Sequence, residues 1–330
     1  MKVADIRPDA VMVGQRAAMH ADIDWLTARR AQFVHVACPA CAADAPTALY
    51  DKYGMTQVRC SSCATQYVNP RPTPSLLATF YAQSENYAYW AKHIFPASNA
   101  ARRVRLFKPR AEMVARLARA RGVAGGIVVE VGAGYGQFCE EIIKTGAFSR
   151  VIAIEPTPDL AGVCRTAGVE TIEAPYEEAR IPAGVDVIAC FEVIEHLFDP
   201  AAFLKWSRSA LKPGGMVVLT CPNSAGFETL LLGARSGAVD HEHLNLFTPR
   251  SLALLAESSG FTSIEMSTPG RLDVDIVQRA LADGSLKPAE LGPVLASLVS
   301  NPDPAIADDL QALLRRAGLS SNMMMVARTS

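Results

Sequence analysis

From Gly122 onward the period of the chain changes. Short β-branched runs at 126–131, 151–154, 185–190 and 216–220 alternate with segments that carry apolar residues at helical spacing. Strands that read as continuous apolar runs are buried on both faces, and parallel neighbours need a crossover between them. The alternation therefore predicts an α/β fold, a parallel sheet with helices on both sides. With 330 residues, half of them hydrophobic, the chain can bury one large core and one smaller module.

Upstream of the sheet the spacing predicts three further units. Residues 1–30 form an N-terminal helix whose apolar positions end at Trp25 and Leu26, residues 31–72 hold two cysteine pairs, and residues 73–121 are helical again. The pairs, CPAC and CSSC, place Cys38, Cys41, Cys60 and Cys63 on two tight turns separated by eighteen residues, enough for a small hairpin. That spacing predicts a zinc ribbon. Four thiolates fill a tetrahedral shell and leave no open position, so the ion is structural. No stretch reads as a signal peptide or a transmembrane helix, and the expected compartment is the cytoplasm, where paired thiols serve metals rather than disulfides. A net charge of -1 supplies no general attraction to nucleic acid or to a membrane surface.

The segment IVVEVGAGYGQF, residues 127–138, reads as a buried strand, a glycine-rich turn and the start of a helix. Gly132, Gly134 and Gly136 let the backbone turn sharply and approach a ligand, while the helix N-terminus offers free amide donors. The spacing is G-x-G-x-G, not the G-x-G-x-x-G of dinucleotide binders, which argues against a nicotinamide-dependent dehydrogenase. A second run, VIAIEP, ends in Glu155, where a carboxylate can accept from both hydroxyls of a ribose.

With VDVIACFEVIEHLFDP and LKPGGMVVLTCPN following in order, residues 122–267 resemble the class I S-adenosylmethionine-dependent methyltransferases. The resemblance implies a Rossmann-like, doubly wound seven-stranded sheet, its last strand, in SNMMMVARTS, antiparallel to the rest. The methyltransferase domain then spans 122–330, with a helical insertion at about 270–320. It implies S-adenosyl-L-methionine as cofactor, with Glu130 and the three glycines at its methionine end, Glu155 at its ribose, and Ala174 and Phe191 near its adenine. Relatives commonly carry an acidic or amide side chain at the position of Ala174.

Two clusters face the acceptor in this reading. Asp240, His241, Glu242 and His243 follow the fifth strand, and EHLNLFTPRSL is similar to the loop of sugar C-methyltransferases that also begin with a four-cysteine module. That similarity implies His243 and Glu242, with His241 beside them, as the residues serving acceptor deprotonation; Asp240 replaces a tyrosine of that family's motif. The second cluster is EVIEHL, whose Glu192, Glu195 and His196 fall on one face if the segment is helical. Ubiquinone-pathway O-methyltransferases, which resemble this stretch, imply a second metal there, magnesium or manganese, joined by His243.

Three outlying features bear on the acceptor. Tyr81, Tyr87, Tyr89 and Trp90 can form a lid, and residues 102–121 carry eight Arg or Lys against Glu112 alone. Arg271, Asp273 and Asp275 lie where an insertion would cap the acceptor. The sequence thus predicts methyl transfer to a small acceptor, sugar-like or phosphate-bearing, a nucleotide-sugar for example, with a His/Glu pair assisting. The competing readings are a metal-assisted O-methyltransferase, a nucleic-acid methyltransferase, which would need a broader basic face, and a non-catalytic module that keeps the cofactor pocket.

Overall fold

The computed structural model describes residues 2–123 and 125–330. The alternating region folds into seven strands: β1 (Gly126–Val131), β2 (Phe148–Ile154), β3 (Glu170–Ile172), β4 (Val185–Phe191), β5 (Leu211–Pro222), β6 (Ser263–Ser267) and β7 (Asn322–Arg328). They lie in the order β6-β7-β5-β4-β1-β2-β3. Val129 of β1 stands opposite Ile152 on one side and Ile188 on the other, both in parallel ladders. Only β7 runs against the others, with Met325 facing Leu219 of β5 and Met266 of β6. The expected Rossmann-like sheet, with its last strand antiparallel, is the observed one.

Successive side chains of a strand point to opposite faces, and the two cores follow that alternation. Val128, Val187 and Val218 pack on one face with Ala111 and Phe138. Val129, Ile188 and Leu219 pack on the other with Phe203 and Leu252. All seven residues of β4 are buried, which is why VDVIACF shows no polar alternation.

The N-terminal helix is α1 (Asp9–Thr27), which buries Ile23 and Leu26. It is followed by α2 (Pro74–Gln83) and, from Glu85 to Arg119, by a helical run that ends in α3 (Lys108–Arg119). That run contains two π-helical turns, Trp90–Ile94 and Arg103–Phe107. Each comes just before a proline, Pro96 or Pro109, that sits in the first turn of the next helical piece. A proline lacks the N–H for the preceding turn and its ring crowds the carbonyl four residues back, so the backbone widens there. Among the described residues no helix is long and apolar enough to cross a membrane.

The cysteine module forms a sheet of Pro46–Lys52, Met55–Cys60 and Gln66–Val68. Its fourth strand comes from far along the chain. Asn245–Leu246 pairs antiparallel with Gln66–Val68, Asn245 opposite Tyr67 and Leu246 opposite Gln66. The loop bearing Asp240 to His243 is thereby fastened to the ribbon. Arg71, fully buried, reinforces the joint: its guanidinium donates to Phe198 O at 3.2 Å and Asn245 Oδ1 at 3.1 Å, and its Nε to Val68 O.

Candidate active site

The glycine-rich turn leaves β1 with φ of +74° at Gly132, +54° at Gly134 and +69° at Gly136, a region that glycine enters without strain. A Cβ on Gly132 would stand 2.5 Å from Val193 Cγ2, whereas one on Gly134 would meet nothing within 4 Å. The turn is thus packed on one side and open at Gly134. Beside the opening, Glu155 accepts from Gly134 N at 2.7 Å and from Thr157 N at 2.9 Å, which fixes its carboxylate at the end of β2. Burial pushes Glu155 above the usual carboxylate range. Burial also pushes Glu130 up to about 8, and Cys139 Sγ lies 3.1 Å from its Oε2. An open backbone turn flanked by two buried carboxylates fits a cofactor that carries an ammonium and a ribose.

Ala174 sits half-buried in the bend after β3. Phe191 ends β4 with its ring 4.9 Å from that of Phe138, and the Arg110 guanidinium lies 4.8 Å from its centroid.

The loop after β5 separates its four polar residues. His241 is buried between Asp240, which bonds its Nδ1, and Glu242, whose Oε1 lies 3.3 Å from Nε2, with Phe80 and Tyr53 edge-on to its ring. Burial opposes its charge, but the Asp240 carboxylate outweighs it and raises its pKa. Glu242 does not reach His243; its Oε1 accepts from Asn86 Nδ2 at 2.7 Å, and burial pushes it up to about 7. Asn86 N is in turn held by Asp22 of α1, which also accepts from Ser84 Oγ and Glu85 N. Asp22, His241 and Glu242 therefore form a buried polar joint between α1, the Tyr87 segment and the loop.

His243 is half-buried, and its Nδ1 lies 2.7 Å from Ala238 O. His196 has the same arrangement, Nδ1 3.2 Å from Glu242 O, and the two rings meet edge to face at 4.7 Å. A carbonyl only accepts, so each Nδ1 carries a hydrogen, and in the neutral ring the lone pair is on Nε2. Burial and the neighbouring His243 push His196 down to about 3, which keeps it neutral. Next to them is Glu195, 1% exposed, neither of whose carboxylate oxygens has a hydrogen-bond partner. One ligand atom from each of Glu195, His196 and His243 lies within 4.8 Å of the others.

Glu192 is not in that group. It accepts from Thr220 Oγ1 at 2.6 Å, Arg110 Nη2 at 3.2 Å and Asn322 Nδ2 at 3.0 Å. The helical face expected for EVIEHL is absent, because the segment after β4 is a series of turns and Glu192 itself has a φ of +58°. Asn245 gathers those turns toward the loop: its N donates to Glu195 O at 3.0 Å and its Nδ2 to Leu197 O at 2.7 Å. Arg71, Asn245 and the Ala238 carbonyl thus set the site, and sequence reasoning passed over all three. Asp273 of the insertion serves structure, accepting from Gln311, Ser320 and Ser321.

The four cysteines of the ribbon converge. Cys38 Sγ and Cys63 Sγ are 3.5 Å apart, Cys41 Sγ and Cys60 Sγ 3.6 Å, and all four sulfurs lie within 4.8 Å of one another. Bond lengths of about 2.3 Å to a tetrahedral ion separate sulfurs by about 3.8 Å, so the donor set fits zinc.

The family described as a methyltransferase domain matches residues 100–266. The ubiquinone biosynthesis O-methyltransferase of Xanthomonas euvesicatoria pv. vesicatoria is 30% identical over 160 residues, 44% of this chain and 66% of that protein. The enzyme of the same name from Cupriavidus pinatubonensis is 30% identical over 165 residues, 44% of this chain and 64% of that one. The chain thus spans just under two thirds of these relatives. Among solved structures, a chain of the Haloferax volcanii complex between the Trm112 methyltransferase activator and a methyltransferase is similar, with a TM-score of 0.51. It is 16% identical, covering 74% of this chain and 97% of that one, a likeness of fold alone.

Proposed function

The chain belongs to the methyltransferase-domain family, and from that premise we propose that it is an S-adenosylmethionine-dependent methyltransferase acting on a hydroxyl of a small, sugar-like or phosphate-bearing acceptor. We further propose that Cys38, Cys41, Cys60 and Cys63 hold a structural zinc ion. The observation that carries the catalytic reading is the Nδ1 contact of His243 with Ala238 O, which leaves Nε2 as the lone-pair nitrogen of the neutral ring, in a half-buried position.

S-adenosylmethionine, when bound, would supply the methyl group, with S-adenosylhomocysteine as the leaving group. The residues of the chain orient and deprotonate. Glu155, fixed by Gly134 N and Thr157 N, would accept from the ribose hydroxyls with its remaining lone pairs, and Glu130 would accept from the ammonium of the methionine end. His243 Nε2 takes the acceptor's proton as its oxygen attacks the methyl carbon, and the Ala238 carbonyl steadies the imidazolium that forms. Glu242 and His241 act on the loop, not on the proton.

Tritium from labelled S-adenosylmethionine is expected in the small-molecule fraction of a metabolite extract incubated with the protein. Label confined to RNA or DNA would replace this reading with the nucleic-acid one. Glu155→Ala removes the ribose contacts and is expected to cost about 1–3 kcal/mol of cofactor affinity by calorimetry; unchanged affinity would remove Glu155 from the cofactor site.

Glu130 gives a pH signature. With its carboxyl at about 8 in the unliganded chain, a proton must leave before it can accept from the ammonium. S-adenosylhomocysteine binding should therefore weaken as pH falls below about 8, by up to about tenfold per unit, and Glu130→Gln should flatten the profile. A wild-type profile flat from about pH 6.5 to 8.5 would place Glu130 outside the contact.

A second reading has its own support. Glu195, buried and unpaired beside two imidazole lone pairs, is a donor set of two His and one carboxylate suited to a divalent cation. In that case Glu195, His196 and His243 hold magnesium or manganese, which would lower the pKa of the acceptor hydroxyl.

A further inference from the structure

Three arginines lie over a series of aromatic rings. The Arg7 guanidinium lies 5.5 Å from the centroid of Trp90, Arg102 lies 5.0 Å from Phe95 and 5.8 Å from Phe107, and Arg110 lies 6.0 Å from Phe107 and 4.8 Å from Phe191. Trp90 and Phe95 are themselves 5.3 Å apart. Trp90 and Phe107 belong to the two π-helical turns of the run.

Only Arg110 has an anionic partner, Glu192 Oε1 at 3.2 Å. Among the described residues neither Arg7 nor Arg102 has a carboxylate within salt-bridge distance, and Arg102 Nε is buried without a hydrogen-bond partner. Burial, then Arg7 and Arg110, push Arg102 down to about 10, with Glu192 acting the other way. Arg7 and Arg102 thus present guanidiniums with no direct ion-pair partner, the donors a phosphate group takes.

The position favours the acceptor over the cofactor. Arg110 also lies 3.4 Å from Thr220 Oγ1, near the carboxyl ends of β4 and β5, where ligands of such sheets bind. Arg7 comes from outside residues 100–266, and the carboxylates whose fields reach it are Asp240 and Glu192, on the loops after β5 and β4, and Glu228, in the short helix Phe227–Leu232.

We propose that Arg7 and Arg102, supported by Arg110, form a subsite for a phosphate group carried by the acceptor. This rests on the methyltransferase reading and narrows its acceptor to a phosphorylated one.

The test is calorimetric titration of inorganic phosphate and phenyl phosphate into the full chain saturated with S-adenosylhomocysteine, at constant ionic strength. Both should bind, and Arg7→Gln and Arg102→Gln should each weaken them about tenfold and the double variant about a hundredfold. S-adenosylhomocysteine affinity should stay within about twofold in all three. Phosphate binding that survives the double variant overturns the subsite. So does phosphate that competes with S-adenosylhomocysteine, or loss of its affinity in Arg102→Gln or Arg102→Lys, since the arginines would then serve the cofactor's carboxylate. Wild-type protein that binds no S-adenosylhomocysteine would sink the methyltransferase reading itself.

Discussion

His243→Ala is expected to lower turnover by about two to four orders of magnitude while cofactor affinity stays within about twofold. The proposed cofactor residues Glu130, Gly132 to Gly136 and Glu155 lie in or just after β1 and β2, and His243 is held by a backbone carbonyl on its own loop, so its loss leaves the glycine-rich turn untouched. His243→Gln keeps a donor toward Ala238 O and much of the volume but supplies no basic nitrogen, so it should be nearly as slow. If His243 acts alone as base, Glu195→Gln retains most of the activity. If Glu195, His196 and His243 act together on a cation, Glu195→Gln falls as far as His243→Ala, and magnesium or manganese restores activity after chelation. A folded His243→Ala protein with near-normal turnover would sink both versions.

The sheet was legible because its signal is local: an apolar run buried on both faces declares itself residue by residue, as in β4, whose seven residues are all buried. The glycine-rich turn was legible for the same reason, since left-handed φ at three nearby positions demands glycine. Partner choice was not legible. Nothing in DHEH tells that Glu242 turns to Asn86, 156 positions away, while His243 turns to Ala238 O, five residues back. EVIEHL was misread as a helix because its spacing suits one, whereas Glu192 is bonded to Thr220, Arg110 and Asn322 in a left-handed conformation that ends any helix there. The basic run at 102–121 showed its charge in the sequence but not which of its arginines would gather. Only the docking of the N-terminal segment brings Arg7 to Trp90 and turns part of that run into a cluster.

The same long-range logic ties the proposed zinc site to the loop that carries His243, and the expected result of removing the metal is large. Serine at 38, 41, 60 and 63 should abolish a zinc content of about one per chain and, with it, turnover on a scale matching His243→Ala. Structural zinc in such small modules contributes on the order of 10 kcal/mol, so the short strands of the ribbon have little to hold them without it. Gln66–Val68 is the strand onto which Asn245–Leu246 is added, and Val68 N donates to Leu244 O at 3.0 Å. If that strand melts, Asn245 loses its register, its grip on Glu195 O and Leu197 O slackens, and His243, two residues earlier, is no longer fixed against His196. The turn at Gly132 to Gly136 has no part in this chain of contacts, so S-adenosylhomocysteine should still bind. Three measurements on the variant check the sequence of causes: metal content, calorimetric cofactor binding, and hydrogen exchange at Asn245 and Leu246. Exchange should quicken at those two amides while the β1 and β4 amides stay protected. Undiminished zinc would reject the metal site, and full turnover in a zinc-free chain would reduce the ribbon to a bystander packed on the fold.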